Sequence, residues 1–237
     1  MNRGYCAALA ALVVAGCAGS SGTGIEVSDR GVVVPSARAS IDLGRSPDVT
    51  PSDPHSGHAI ELGYARAKGS STQTLSPGED TVVIGGRSFS PPQQLKNDAT
   101  IGFFDVMYRW RRFVDSGAFG IELLGGGTYT SMDYATMTPA QRGSDGIHTW
   151  GLVGGLGGIL RLRPGTSVQA RGVWFGTVEI WGSTSGRRFD INFVQALGPN
   201  VSLRAGYTSW DVDSDRNFGS KLNATLSGPA IGIELHF

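Results

Sequence analysis

From about residue 59 onward, hydrophobic and polar residues alternate in runs. In 59–66, Ile60, Leu62 and Tyr64 share one parity against Glu61 and Gly63. In 100–112, Phe104, Val106, Tyr108 and Trp110 oppose Asp105, Arg109 and Arg111. In 118–130, Phe119, Ile121, Leu123 and Tyr129 oppose Glu122, and in 148–163, Trp150, Leu152, Leu156, Leu160 and Leu162 oppose glycines, Arg161 and Arg163. The pattern continues in 167–181 (Val168, Trp174, Val178, Ile180 against Gln169, Arg171, Glu179) and in 187–197 (Phe189, Ile191, Phe193, Leu197 against Arg188, Asp190, Asn192). It ends with 201–210 (Val201, Leu203, Tyr207 against Ser202, Arg204) and 227–237 (Ile231, Ile233, Leu235, Phe237 against Gly232, Glu234, His236). A period of two belongs to a strand, whose successive side chains face opposite ways. No helical period competes over comparable windows, so eight strands are predicted.

The connections alternate in length: 67–99 is long, 114–117 short, 131–147 long, 164–166 short, 182–186 medium, 198–200 short and 211–221 medium. Short turns on one side and long loops on the other are expected of outer-membrane barrels. The segment 81–89 is a candidate for an extra strand pair inside the first long loop. Alternation alone does not tell a lipid-facing apolar surface from a lipocalin-like apolar interior. The aromatics Tyr108, Trp110, Phe119, Tyr129, Trp150 and Phe237 fall near strand ends on the apolar face, as membrane girdles do. The three lysines, Lys68, Lys96 and Lys221, fall in loops or at strand ends, whereas arginines populate the polar face. Arginine suits buried ion pairs, so the polar face is assigned inward.

The final run closes on an apolar aromatic residue with no polar tail. An open soluble sheet ending this way would expose an aggregation-prone edge. Ile231, Ile233, Leu235 and Phe237 resemble the carboxy-terminal strand of bacterial outer-membrane β-barrels, in which alternate apolar residues ending in Phe serve as the assembly signal. Residues 57–237 as a whole resemble the OmpA-type eight-stranded barrels. The resemblance implies an all-β fold, a closed antiparallel eight-stranded transmembrane β-barrel with a disordered N-terminal tether. It also implies contact with outer-membrane lipid and lipopolysaccharide, and passage through the barrel assembly machinery.

The beginning of the chain is different material. Residues 1–16 read as an export signal: Asn2 and Arg3, an apolar run too short to cross a bilayer as a helix, then small residues. Val14-Ala15-Gly16-Cys17 resembles the lipobox of bacterial lipoproteins, which implies acylation at Cys17 and handling by the lipoprotein sorting machinery. Cys6 leaves with the signal, and acylation removes the one remaining thiol from an oxidising compartment. Residues 17–56, rich in Ser, Gly and Asp and broken by Pro35, Pro47, Pro51 and Pro54, are predicted to be a periplasmic linker. The barrel domain is then 57–237. The localisation implied is a Gram-negative outer membrane, with the N-terminus lipid-anchored on the periplasmic side.

The inward set assembled from these runs is Glu61, Asp105, Glu122, Glu179, Asp190 and Glu234 with Arg109, Arg111, Arg161, Arg163, Arg171, Arg188 and Arg204. Charges enclosed in a narrow lumen persist only when paired. The remaining chemistry is sparse. The formal net charge is zero, and loss of Arg3 with the signal leaves −1, which argues against a nucleic-acid partner. The glycine-rich 151–158 lacks dinucleotide-binding spacing, and Gly182-Ser-Thr-Ser-Gly186 has Thr184 where a nucleophile elbow needs serine. Asp211-Val-Asp213-Ser-Asp215 starts like a calcium loop, but Arg216 replaces the glycine and Leu222 the closing acid. No metal site, cofactor or catalytic group is assigned. The expected role is structural, in envelope integrity or surface adhesion, without an open pore. Two alternatives remain: a lipid A-modifying enzyme using His148 with Ser144, Asp145, Ser209 or Asp211, and a narrow channel for small apolar solutes.

Overall fold

The computed structural model describes residues 24–44, 57–114, 117–179, 182–216 and 221–237. The export signal, Cys17 and residues 45–56 lie outside them. The described chain is all-β: β1 (Gly24–Arg30), β2 (Val34–Gly44), β3 (Gly57–Leu75), β4 (Val82–Ile84), β5 (Arg87–Phe89), β6 (Gln93–Val114), β7 (Phe119–Met137), β8 (Arg142–Arg163), β9 (Thr166–Glu179), β10 (Gly182–Ala196), β11 (Val201–Arg216) and β12 (Lys221–His236).

One sheet takes all but β4 and β5, in the order β1-β12-β11-β10-β9-β8-β7-β6-β3-β2, and β2 also pairs with β12. The pairing therefore returns to its start through nine strands, with β1 added beside β12. Two expectations are corrected. The count is nine where eight were predicted, and the sheet is not wholly antiparallel, because β1 and β2 both run parallel to β12. The ninth strand comes from the stretch read as a linker. Its polar composition hid a strand pattern in which Ile25, Val27, Val32, Val34 and Arg38 are buried between exposed neighbours. β1 and β2 are successive parts of one path, broken at Gly31, whose φ of 118° lies in the region glycine favours. At the break, Gly31 and Val32 both donate backbone hydrogen bonds to the Ser227 carbonyl of β12.

The expected long loops are mostly strand as well. β3 runs on to Leu75 and β6 starts at Gln93, while β7 and β8 are joined only by 138–141. These extensions escaped notice because the hydrophobic phase switches along several of the strands. On β6 the buried apolar residues are odd-numbered, Leu95, Ala99, Ile101 and Phe103; the exposed ones are even-numbered, Phe104, Val106 and Tyr108. On β11, Val201, Leu203 and Tyr207 are exposed whereas Trp210 and Val212 are buried. On β12, Leu222, Ala224 and Leu226 are buried whereas Ile231 and Ile233 are exposed. The backbone continues unbroken while the apolar side chains change faces.

Two ends follow. At the turn end lie Phe237, residues 117–118 and the connections 164–165 and 197–200; Phe237 N donates to the Ser40 carbonyl and Asp42 N to the Phe237 carbonyl, tying β2 to β12 there. At the opposite end, β4 and β5 form the expected extra hairpin, with Val82, Ile84 and Phe89 buried. Gln141 Nε2 fixes it to β8's approach by donating to the Ser88 carbonyl at 2.8 Å. Beneath the hairpin the interior is an apolar core that includes Ile25, Val27, Leu75, Leu95, Met132 and Leu226.

Candidate functional site

Two features stand out in this sheet, and both come from the phase switch. The first is the outer surface. Tyr64, Phe104, Tyr129 and Trp150 are direct register partners across β3, β6, β7 and β8, forming one row of aromatic side chains on the outward face. The Tyr129 and Trp150 rings are 5.1 Å apart. Two residues further toward the hairpin end, the next row is Arg66, Gly102, Ser131 and His148, and the one beyond is Lys68, Thr100, Asp133 and Gly146. Toward the turn end the outward face is mostly apolar, with Leu62, Val106, Ile121, Leu123, Leu152, Leu156, Leu160, Ile191, Phe193, Ile231 and Ile233 all exposed, and with Arg112 of β6 an exposed charge near its margin. Leu152, 78% exposed, has no protein cover. On β6 this belt runs from Phe104 to Val114, with Arg112 its one charge, one outward position before the turn end; ten steps of about 3.3 Å, tilted by about 40°, give a height of about 25 Å.

The second feature is the interior behind the belt, which is charged. Arg171 of β9, 1% exposed, reaches both Glu61 of β3 and Glu122 of β7. Its Nη1 and Nη2 donate to Glu61 Oε2 and Oε1 at 2.9 and 3.1 Å, and its Nε and Nη2 donate to Glu122 Oε2 and Oε1 at 2.7 and 3.0 Å. Arg109 Nη1 adds 2.6 Å to Glu61, Arg111 Nε adds 2.7 Å to Glu122, and Arg38 Nε stands 3.7 Å from Glu61. One layer toward the hairpin end, Arg188 joins Asp190 (Nε–Oδ2, 3.1 Å) to Asp105 (Nη1–Oδ2, 3.2 Å). Thr208 and Thr128 donate to those two carboxylates, each at 2.6 Å. Arg204 and Glu234 approach to 3.8 Å across β11 and β12. Gly157 makes space for the centre: a Cβ there would stand 2.8 Å from Glu122 Oε2 and 3.1 Å from Arg171 Cγ. Above the Arg188 layer, Phe103, Phe175 and Trp210 meet edge-to-face, with centroids 4.8 and 4.7 Å from Phe103, and begin the apolar core.

Of the predicted interior residues, Glu61, Asp105, Arg109, Arg111, Glu122, Arg171, Arg188, Asp190, Arg204 and Glu234 are therefore buried together. Arg161 is half-buried, and its guanidinium lies 3.6 Å over the Phe113 ring near the turn end. Arg163 is exposed beside a register irregularity between β8 and β9, its Nε donating to Thr166 Oγ1 at 3.0 Å. The side chain of Glu179 lies outside the described residues. Arg38 was missed because its segment reads as linker; the signal available was Arg38 falling in phase with the buried Val34.

The enzymatic candidates do not converge. His148 is on the outward face, its Nε2 3.7 Å from Asp133 Oδ1, with both side chains more than half exposed. Asp145 accepts a hydrogen bond from Tyr134 Oη at 3.2 Å, and Ser209 and Asp211 sit on β11, three strands from β8. Asp211 and Asp213 extend along β11 instead of curling into a cation loop, and Asp211 pairs with Arg187 at 2.7 Å. Burial, reinforced by the Asp211 carboxylate, raises the pKa of Asp213. No cluster of metal-ligating side chains occurs among the described residues.

Comparison of the chain with models of known protein families, with characterised proteins and with solved structures finds no match in any of the three.

Proposed function

We propose that this chain is an outer-membrane β-barrel lipoprotein of OmpA-like character, with a structural or surface role in the envelope and no open pore. The observation that carries the reading is the inversion of polarity at the Tyr64–Phe104–Tyr129–Trp150 row. Below that row apolar side chains face out over a height of about 25 Å and charges face in; above it the order reverses. A belt of that height matches the apolar band of a membrane barrel, and aromatic residues at its border match an interfacial girdle. In lipid, backbone groups must pair within the protein, which a cyclic strand pairing accomplishes. The part beyond the girdle has the ordinary polarity of a protein in water, an apolar core under polar side chains.

The absence of a pore follows from what fills the interior. The Arg171–Glu61–Glu122 cluster crosses it behind the belt, and the apolar core with its hairpin fills the end beyond. The test is fractionation followed by reconstitution. The mature protein is expected in the outer-membrane fraction, resistant to alkaline and urea extraction. Liposomes carrying it are expected to be no leakier to small sugars than protein-free ones. Release from membranes by urea alone would overturn the membrane assignment, and steady conductance would overturn the closed interior.

A further inference from the structure

The parallel pairing of the first strands with the last fixes where the N-terminal segment leaves the sheet. Gly24 is in register with Lys221 and Arg30 with Ser227; Val34 then pairs with Ala230 and Ser40 with His236. The chain thus enters at the hairpin end and runs toward the turn end beside β12. A periplasmic tether would need the opposite, entry at the turn end where Phe237 lies.

We propose that the segment preceding Gly24 emerges on the outer side of the membrane, so that Cys17, where acylated, presents its chains to the outer leaflet. The proposal rests on the membrane-barrel reading and on short turns facing the periplasm, the general rule for such barrels. Distance supports it. Lys221 to Phe237 is 16 steps along β12, about 50 Å of strand and about 40 Å of height at a tilt of about 40°. Seven residue steps lead from Cys17 to Gly24, and even fully extended they reach only about 25 Å. The route through the interior is filled by the apolar core and, below it, by the Arg171 and Arg188 ion pairs.

The seam beside β1 fixes the strand further. β1 has no backbone ladder to β3, and side chains take its place. Ser70 N donates to Asp29 Oδ2 at 3.0 Å, Ser71 Oγ to the Glu26 carbonyl at 2.7 Å, and Asn97 Nδ2 to the same carbonyl at 3.3 Å. Glu26 N donates to Gln73 Oε1 at 3.3 Å. With Ile25 and Val27 buried in the core below, β1 is held at the hairpin end by contacts on both sides.

The experiment is cysteine labelling with a membrane-impermeant maleimide in intact and lysed cells. Ser21→Cys and Ser28→Cys report on the N-terminal segment and β1, Ala140→Cys marks the hairpin end, and Asn200→Cys marks the turn end. All four positions are outside the buried interior or precede the first strand, so folding is expected to survive. In intact cells Ser21→Cys, Ser28→Cys and Ala140→Cys should label to within about twofold of their level in lysed cells, with Asn200→Cys labelling only after lysis. Labelling of Ala140→Cys alone in intact cells, with Ser21→Cys protected, would overturn the N-terminal assignment and leave the membrane reading standing. Labelling of Asn200→Cys in intact cells with Ala140→Cys protected would reverse the orientation and overturn the proposal. Recovery of all variants in a soluble fraction would remove both it and the membrane reading.

Discussion

Replacing Arg171 by methionine tests whether the charged interior is a cooperative network. Methionine keeps much of the side-chain bulk and removes four hydrogen bonds to two carboxylates. Glu61 would keep Arg109 at 2.6 Å, and Glu122 would keep Arg111 at 2.7 Å. Two buried anions would then face each other without the cation that joined them. Breaking a buried ion pair by removing one partner costs about 3–5 kcal/mol, roughly two to four powers of ten in the folding equilibrium. Arg187→Met is the control. It removes an ion pair of similar length, 2.7 Å to Asp211, but the Arg187 side chain is 52% exposed, and such a pair contributes about 0–1 kcal/mol. Stability is read from urea unfolding of protein reconstituted in vesicles, by the mobility shift of unheated samples and by tryptophan fluorescence, to which the buried Trp210 contributes. Equal effects of Arg171→Met and Arg187→Met would show that the interior is hydrated enough to screen these charges.

Leu156→Arg, in the middle of the exposed apolar run of β8, should cost about 2–4 kcal/mol of folding stability in bilayers. Thr72→Arg, exposed on the polar extension of β3, should change it by less than about 0.5 kcal/mol; equal costs in vesicle-folding titrations would refute the lipid-facing belt. Deleting Phe237, which joins β2 through its own backbone N–H and carbonyl, should lower the yield of heat-modifiable protein in the outer membrane. Normal outer-membrane levels of the deletion would show that the terminal residue is not an assembly signal. Gly157→Val, forced against Glu122 and the Arg171 stem, should destabilise the protein by about 1–3 kcal/mol in the same urea assay, and an unchanged midpoint would mean the interior has slack there.

The sequence by itself determined the local chemistry of this protein. Strict alternation in runs such as 201–210 and 227–237 dictates strands, because a two-residue period cannot serve a helix. Excess Arg on one parity and aromatics on the other are enough to choose the inward face, and the inward carboxylates and most of the arginines follow from parity alone. Tertiary structure decided how far the strands run and how the sheet returns to its start. The phase switch at Phe103 and Phe104 hides the continuation of the strand, because parity is informative only while the two faces keep the same surroundings; the backbone of β6 runs through the switch without interruption. Arg38 and the strand that holds it were illegible for a related reason. A segment of Ser, Pro, Ala and Arg lacks the apolar face that marks a membrane strand, and it gains its partners only when β12 and β3 stand on either side of it. Register did the rest. It brought Arg171 within reach of Glu61, 110 residues away, and set β1 parallel to β12, placing the start of the sheet opposite to its end.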